Sequence, residues 1–186
     1  MAKHLLRSFR LAIAGAVKFA GIVIVASAGI TIWPGAAVAA DPRPCELFSS
    51  GQVATVTGTA PGRAQPAGPD VEKELAATSW TCAWPASERH LAVKVMRFRS
   101  APDATRAMTT INKQTMGFPD GVRLLPASGA PGEQALWGAS AEEELAVWVA
   151  RKGPTLFVVV LGGELKAPES FKEPLRKLLA AGIEKL

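Results

Sequence analysis

The sequence predicts an α+β fold, an antiparallel sheet of about five strands with helices packed on it and one disulfide. Three observations carry this reading. The periodicities run in the order α-β-β-α-(β)-β-β-β-α, so strands follow one another through turns and pair antiparallel. There is no Gly-rich strand-to-helix turn and no regular β-α alternation, which argues against a nucleotide-binding parallel sheet. Of the 186 residues, 48% are hydrophobic, which is enough for a core and too many for wholesale disorder.

Residues 1–40 read as a cleavable signal peptide, leaving 41–186 as a single α+β domain. Lys3, Arg7 and Arg10 form a positive start, and an apolar run follows, cleanest from Phe19 to Trp33. Pro34-Gly35 breaks it, and the small residues of Ala37 to Ala40 offer cleavage before Ala40 or Asp41. Arg7 and Arg10 are not adjacent, so no twin-Arg signal is expected. The expected location is the periplasm or the exterior. The alternative is an uncleaved inner-membrane anchor over residues 11–33, with Lys18 tolerated inside it.

Export gives the cysteines a role. Cys45 and Cys82 are the only two, so they pair in one way in an oxidising compartment. Their spacing is not the Cys-x-x-Cys of a redox pair, so the expected bridge is structural.

Ser49-Ser50-Gly51-Gln52 reads as a capping box opening a short helix from Ser50 to Thr57, stopped at Gly58. Thr59 to Asp70 holds three prolines and two glycines and reads as a loop, mobile near 59–70. Ser79 to Trp84 alternates as a strand, with Trp80, Cys82 and Trp84 on one face. Pro85 to Arg89 is a turn, with His90 an exposed residue at its end, and His90 to Arg99 is the second strand. Ser100-x-x-Asp103 caps the next helix, which runs past Ile111 towards Gly117. A Pro/Gly stretch, Phe118 to Gly132, surrounds the apolar piece Val122 to Leu125. Gln134–Trp137, Leu145–Arg151 and Thr155–Leu161 are the remaining strands. Leu156 to Leu161 is wholly apolar, as suits a strand covered on both faces. Phe171, Leu175, Leu178, Leu179, Ile183 and Leu186 mark the apolar face of a last helix whose regular part starts near Pro174.

Several of these residues resemble a family. Pro44-Cys45-Glu46-Leu47-Phe48-Ser49 with Val53 resembles the P-C-x-L-[LF]-[ST]-x-x-x-V opening of small exported bacterial envelope proteins of unknown function. Cys82-Ala83-Trp84 is similar to their C-x-[WY] strand, and Gly132 to Trp137 to their G-[DE]-x-A-x-W. Many members are lipoproteins of high-GC bacteria; here Cys45 follows Arg43-Pro44 and no lipobox is present. The resemblance implies an exported α+β domain with one disulfide, and adds no site.

The formal charge of +5 is misleading. Four of the 21 basic residues lie before Asp41, which leaves 17 against 16 acids, too little excess for phosphate binding. No nucleic-acid partner is expected. With His90 the one imidazole after the signal and both thiols in a bridge, no metal site and no cofactor are expected. Neither a Gly-x-Ser-x-Gly elbow nor a free Cys nucleophile is present, so no catalytic set is assigned. Glu142-Glu143-Glu144 points its side chains apart and reads as a solvated turn.

Two candidate sites remain. Trp80, Trp84, Trp137 and Trp148 either pack the core or line an apolar pocket, since an indole suits half-wet sites. Lys94, Arg97, Arg99 and Arg106 either form an anion patch or simply blunt an edge strand with charge. The expected function is a non-enzymatic envelope protein binding a partner protein or a small apolar ligand. Its rivals are a small periplasmic enzyme using Glu133 or Asp120, and an inhibitor inserting the 59–70 loop into a secreted enzyme.

Overall fold

The computed structural model describes residues 41–114 and 122–186. The signal peptide over 1–40, the alternative anchor over 11–33, Gly117 and Asp120 lie outside the described residues. Three α-helices occur among the described residues: α1 (Ser50–Thr57), α2 (Ala101–Gln114) and α3 (Lys172–Ile183). The seven strands are β1 (Gln65–Glu72), β2 (Ala77–Pro85), β3 (Arg89–Arg97), β4 (Leu125–Pro126), β5 (Gln134–Ser140), β6 (Leu145–Lys152) and β7 (Thr155–Gly163). They make one sheet in the order β1-β2-β3-β7-β6-β5-β4, with every neighbouring pair antiparallel.

The α+β class holds, but the sheet has seven strands where about five were expected. The two additional strands are the edges, β1 and β4. An edge strand needs only one side of its backbone paired, so it tolerates prolines that a central strand excludes. β1 therefore carries Pro66 and Pro69, with a register shift between Ala67 and Asp70, and all its residues but Glu72 are exposed. No burial alternation marks it, and its first six residues fall in the stretch read as a loop. Residues 59–64 remain as the connection into it. The two-residue β4 is too short to show a period. His90, expected as an exposed residue where the turn passes into the second strand, lies at the start of β3 opposite Pro85 and Gly162 and is exposed.

The helix ends follow their local chemistry. The Ser49 hydroxyl accepts the Gln52 N–H at 3.2 Å, and the Gln52 side chain accepts the Ser49 N–H at 2.9 Å. Gly58, at φ +78, closes the helix in the left-handed conformation. Ser100 accepts the Asp103 N–H at 3.3 Å and donates to its carboxylate at 2.7 Å. In α3, Pro174 sits in the first turn, where its missing N–H costs nothing.

Helices cover both faces of the sheet. On one, α1 and α3 bring Phe48, Val53, Leu175 and Leu179 onto Val93, Trp148, Phe157 and Val159. On the other, Ala104, Ala107, Met108 and Ile111 of α2 meet Leu156, Val158, Val147 and Val149. The central strands, β6 and β7 among them, contribute to both cores, which is why the run from Leu156 to Val159 has no polar side chain. Cys45, in a short 3-10 turn at Pro44–Glu46, is bonded to Cys82 of β2 with the Cα atoms 5.1 Å apart. The expected bridge is formed.

Candidate functional site

The four tryptophans are buried. Trp84, Trp137 and Trp148 are 3%, 6% and 1% exposed and belong to the core beneath α1 and α3. Their polar ends are satisfied inside the fold where a core indole needs it. Trp137 donates through Nε1 to Glu169 at 3.0 Å, and Trp148 to the Lys172 carbonyl at 2.9 Å. The two rings pack tilted, with centroids 5.2 Å apart. Trp84 packs against Phe48 at 6.1 Å. Trp80 is different. It is 8% exposed, belongs to neither core cluster, and turns its ring towards a cleft at the end of the sheet.

The basic residues do not form a single patch. Lys94 and Arg97 are three positions apart on β3, and a strand sends odd and even positions to opposite faces. Lys94 stands opposite Thr81 and is paired with Glu72, whose carboxylate also accepts from Ser79 at 2.8 Å. Burial alone would raise the Glu72 pKa, but the hydrogen bonds from Lys94 and Ser79 and the Lys94 charge outweigh it and hold it below the usual carboxylate range. Arg106 lies on α2 and is paired with Asp103 one turn back. Arg97 and Arg99 remain, and they lie at the cleft that holds Trp80.

This cleft has a volume of about 350 Å³ and is walled by Val71, Thr78, Trp80 and Phe98, with Arg97 and Arg99 lining it. Its geometry follows from register. Trp80 pairs with Val95 and Thr78 with Arg97, so Trp80 and Arg97 are diagonal neighbours on one face. The Arg97 guanidinium carbon lies 5.5 Å from the Trp80 ring centre, within cation–π range. Val71, opposite Thr78 on β1, is 73% exposed and forms an apolar rim. Phe98 follows β3, donates its N–H to the Pro154 carbonyl at 2.9 Å, and is 4% exposed.

Sequence reasoning paired Trp80 with the other tryptophans and Arg97 with the other cations, and the structure pairs them with each other. It missed Val71 and Phe98. Val71 follows a Pro/Gly-rich stretch, and no alternation marks it as part of a strand. Thr78 was legible, because alternation back from Trp80 puts it on the same face.

A second cleft, of about 490 Å³, lies between α2 and the β4–β5 edge, with Met108, Asn112, Pro126, Ser128 and Leu136 among its walls. Neither candidate set contributes to it.

The remaining titratable candidates serve the scaffold. Glu133 accepts the Gly153 N–H at 2.9 Å and is paired with Arg151. The Gly153 N–H first, and Arg151 with it, depress the Glu133 pKa, although partial burial acts the other way. A general base working near neutrality needs the opposite shift. His90 lies over Gly162, and desolvation of its ring holds its pKa below the usual imidazole value. Among the described residues no group of three or more His, Cys, Asp and Glu converges to hold a metal, and no helix is long and apolar enough to cross a membrane.

Comparison with known proteins gives a family and distant likeness to solved structures. The family model described as a domain of unknown function (DUF7373), N-terminal, matches residues 38–185. The comparison with curated proteins found no match. Among solved structures, the extracellular domain of PknH from Mycobacterium tuberculosis is similar at 13% identity and a TM-score of 0.48. That match covers 76% of this chain and 94% of that one. A likeness this distant carries no argument about the present chain.

Proposed function

The chain belongs to the DUF7373 family of domains of unknown function, and from that premise we propose an exported, non-enzymatic binding domain of the bacterial cell envelope. It holds a small apolar ligand, or an apolar side chain of a partner protein, against Trp80. One observation supports this reading: Trp80, a largely buried indole that belongs to neither core cluster, lines a cleft with apolar walls whose Ala77 and Phe98 belong to the core beneath α2. An aromatic at the margin of the cores gains from a ligand that removes the cleft surface from water.

Export is supported by the Cys45–Cys82 bond, since such bonds persist in oxidising compartments. Cleavage before Ala40 or Asp41 would release the chain from the membrane, in place of the anchored alternative. The enzymatic alternative is weakened because Glu133 is committed to Gly153 and Arg151. The inhibitor alternative is weakened because six residues of its inserting loop belong to β1.

The test is the native intact mass of the unreduced chain isolated from its host. The expected result is a chain beginning at Ala40 or Asp41, two hydrogens lighter than its reduced form. It should carry excess mass that denaturation removes and that a Trp80→Ala variant lacks. A full-length reduced chain would overturn export. Excess mass retained in Trp80→Ala would overturn binding at this cleft.

A further inference from the structure

We propose that the second cleft, between α2 and the β4–β5 edge, is a site for an uncharged sugar ring, a pyranose taken free or as one residue of a glycan. The site shares no described residue with the Trp80 cleft. Three features of it converge on this ligand.

The first is its layering. Met108 of α2 and Ala135 and Leu136 of β5 are buried and form an apolar floor. Hydrogen-bonding side chains stand on two sides of that floor, Thr109 and Asn112 on the helix, Ser128 and Gln134 by the sheet edge. A ligand that fills such a cleft needs an apolar face and polar groups around its perimeter. A pyranose has that shape, with C–H groups on the face of the ring and hydroxyls around its edge.

The second is the balance of donors and acceptors. The Thr109 hydroxyl donates to the Thr105 carbonyl at 3.1 Å, so its lone pairs are left to accept. The Gln134 side-chain oxygen accepts from Nε of the buried Arg151 at 3.0 Å, which fixes the amide and leaves its NH₂ to donate. Asn112 and Ser128 offer both functions, and neither side chain is used in a hydrogen bond among the described residues. A carboxylate only accepts and an ammonium only donates, so either would leave part of this set unmatched. None of the described residues lining the cleft carries a charge to offset one. A hydroxyl both donates and accepts.

The third is size and edge chemistry. At about 30 Å³ per water-sized group, a cleft of about 490 Å³ takes roughly sixteen non-hydrogen atoms. That is one hexose ring with room for a small substituent. An extended peptide finds no ladder here, because β4 is two residues long and one of them is Pro126.

The test is NMR titration of the isotope-labelled chain as isolated from its host. The neutral probes are the methyl pyranosides of glucose, galactose, mannose and N-acetylglucosamine, and the charged ones are glucuronate and glucosamine. At least one neutral pyranoside is expected to shift the amides of Ala127, Ser128, Gln134 and Leu136 saturably, at least tenfold tighter than either charged sugar. Asn112→Ala removes a side chain that bonds to nothing else described, so the fold is retained while affinity falls about fivefold. Adding Ser128→Ala should take the loss beyond about tenfold. Trp80→Leu should leave sugar affinity unchanged. A disaccharide of the same sugar that binds more tightly identifies a glycan as the source, and equal binding a free sugar; both support the site.

No shift at these amides with any neutral pyranoside, or equal affinity for glucuronate or glucosamine, would overturn the proposal. So would sugar affinity unchanged in the Asn112→Ala, Ser128→Ala variant. Shifts confined to the amides of Trp80 and Phe98 would place the ring in the other cleft and overturn it as well, while leaving binding at Trp80 standing.

Discussion

A single carboxylate explains why the cations of β3 do not act together. Glu72 is drawn under Lys94 and Ser79 on the face away from Trp80, and each partner of the ion pair keeps about a third of its side chain in water. Its pKa is lower in the folded chain than the ordinary value of 4.5. A depressed carboxylate stabilises the fold above its unfolded pKa, and that contribution is lost as pH falls through the folded one. Solvent screening keeps the pair to about 1 kcal/mol or less. The prediction is that wild type exceeds Glu72→Gln in urea stability at pH 7 by no more than this. The gap should close as pH falls below 4.5. A gap of the same size at pH 3 would mean that shape, and not charge, holds the pair.

At the scale of elements, the family-like motifs turn out to be joinery. Pro44 to Ser49 builds a 3-10 turn, places the bonded Cys45, buries Leu47 and Phe48, and caps α1. Gly132 adopts φ +93 with its α-carbon so close to β6 that a Cβ would lie 2.6 Å from the Arg151 carbonyl oxygen. Glu133 then ties the β6–β7 turn through Gly153, and Trp137 is anchored by Glu169. The same close fit governs α3. A Cβ on Gly182 would lie 2.5 Å from the Phe157 ring and 2.9 Å from Phe48. Alanine is the better helix former by about 1 kcal/mol, yet overpacking a filled core costs roughly 1–3 kcal/mol. Gly182→Ala is therefore expected to lower the midpoint of thermal unfolding; a higher midpoint would show that the rings yield freely.

At the scale of the whole molecule, the sheet is protected at its edges and pinned near one of them. β1 offers Pro66 and Pro69 in place of donors, and β4 is only two residues long, so neither edge is a template for further strands. The disulfide spans 37 residues and fastens the start of the described chain to β2, next to that β1 edge. In the chain-entropy account, closing such a loop stabilises the fold by roughly 3–4 kcal/mol. Replacing both cysteines with alanine is expected to reduce the free energy of unfolding by about that amount in denaturant titration. A loss well under 1 kcal/mol would mean that Leu47, Phe48 and α1 hold the segment without the bond.

Much of the architecture was decided locally and so was legible along the chain. Capping groups at Ser49 and Ser100, the apolar run of β7 and the single possible cysteine pairing all depend on neighbours in sequence or on counting. The β1 edge was not legible, because nearly all its residues are exposed and no burial period marks it, and β4 is only two residues at the end of the apolar piece Val122 to Leu125. The cleft was not legible either. Which tryptophan stays outside the cores, and which cations share its face, depend on the β1–β2–β3 register and on where α1, α2 and α3 come to rest. Periodicity assigns each residue to a face of its own strand, but only the assembled sheet decides which faces the helices cover and which stay open.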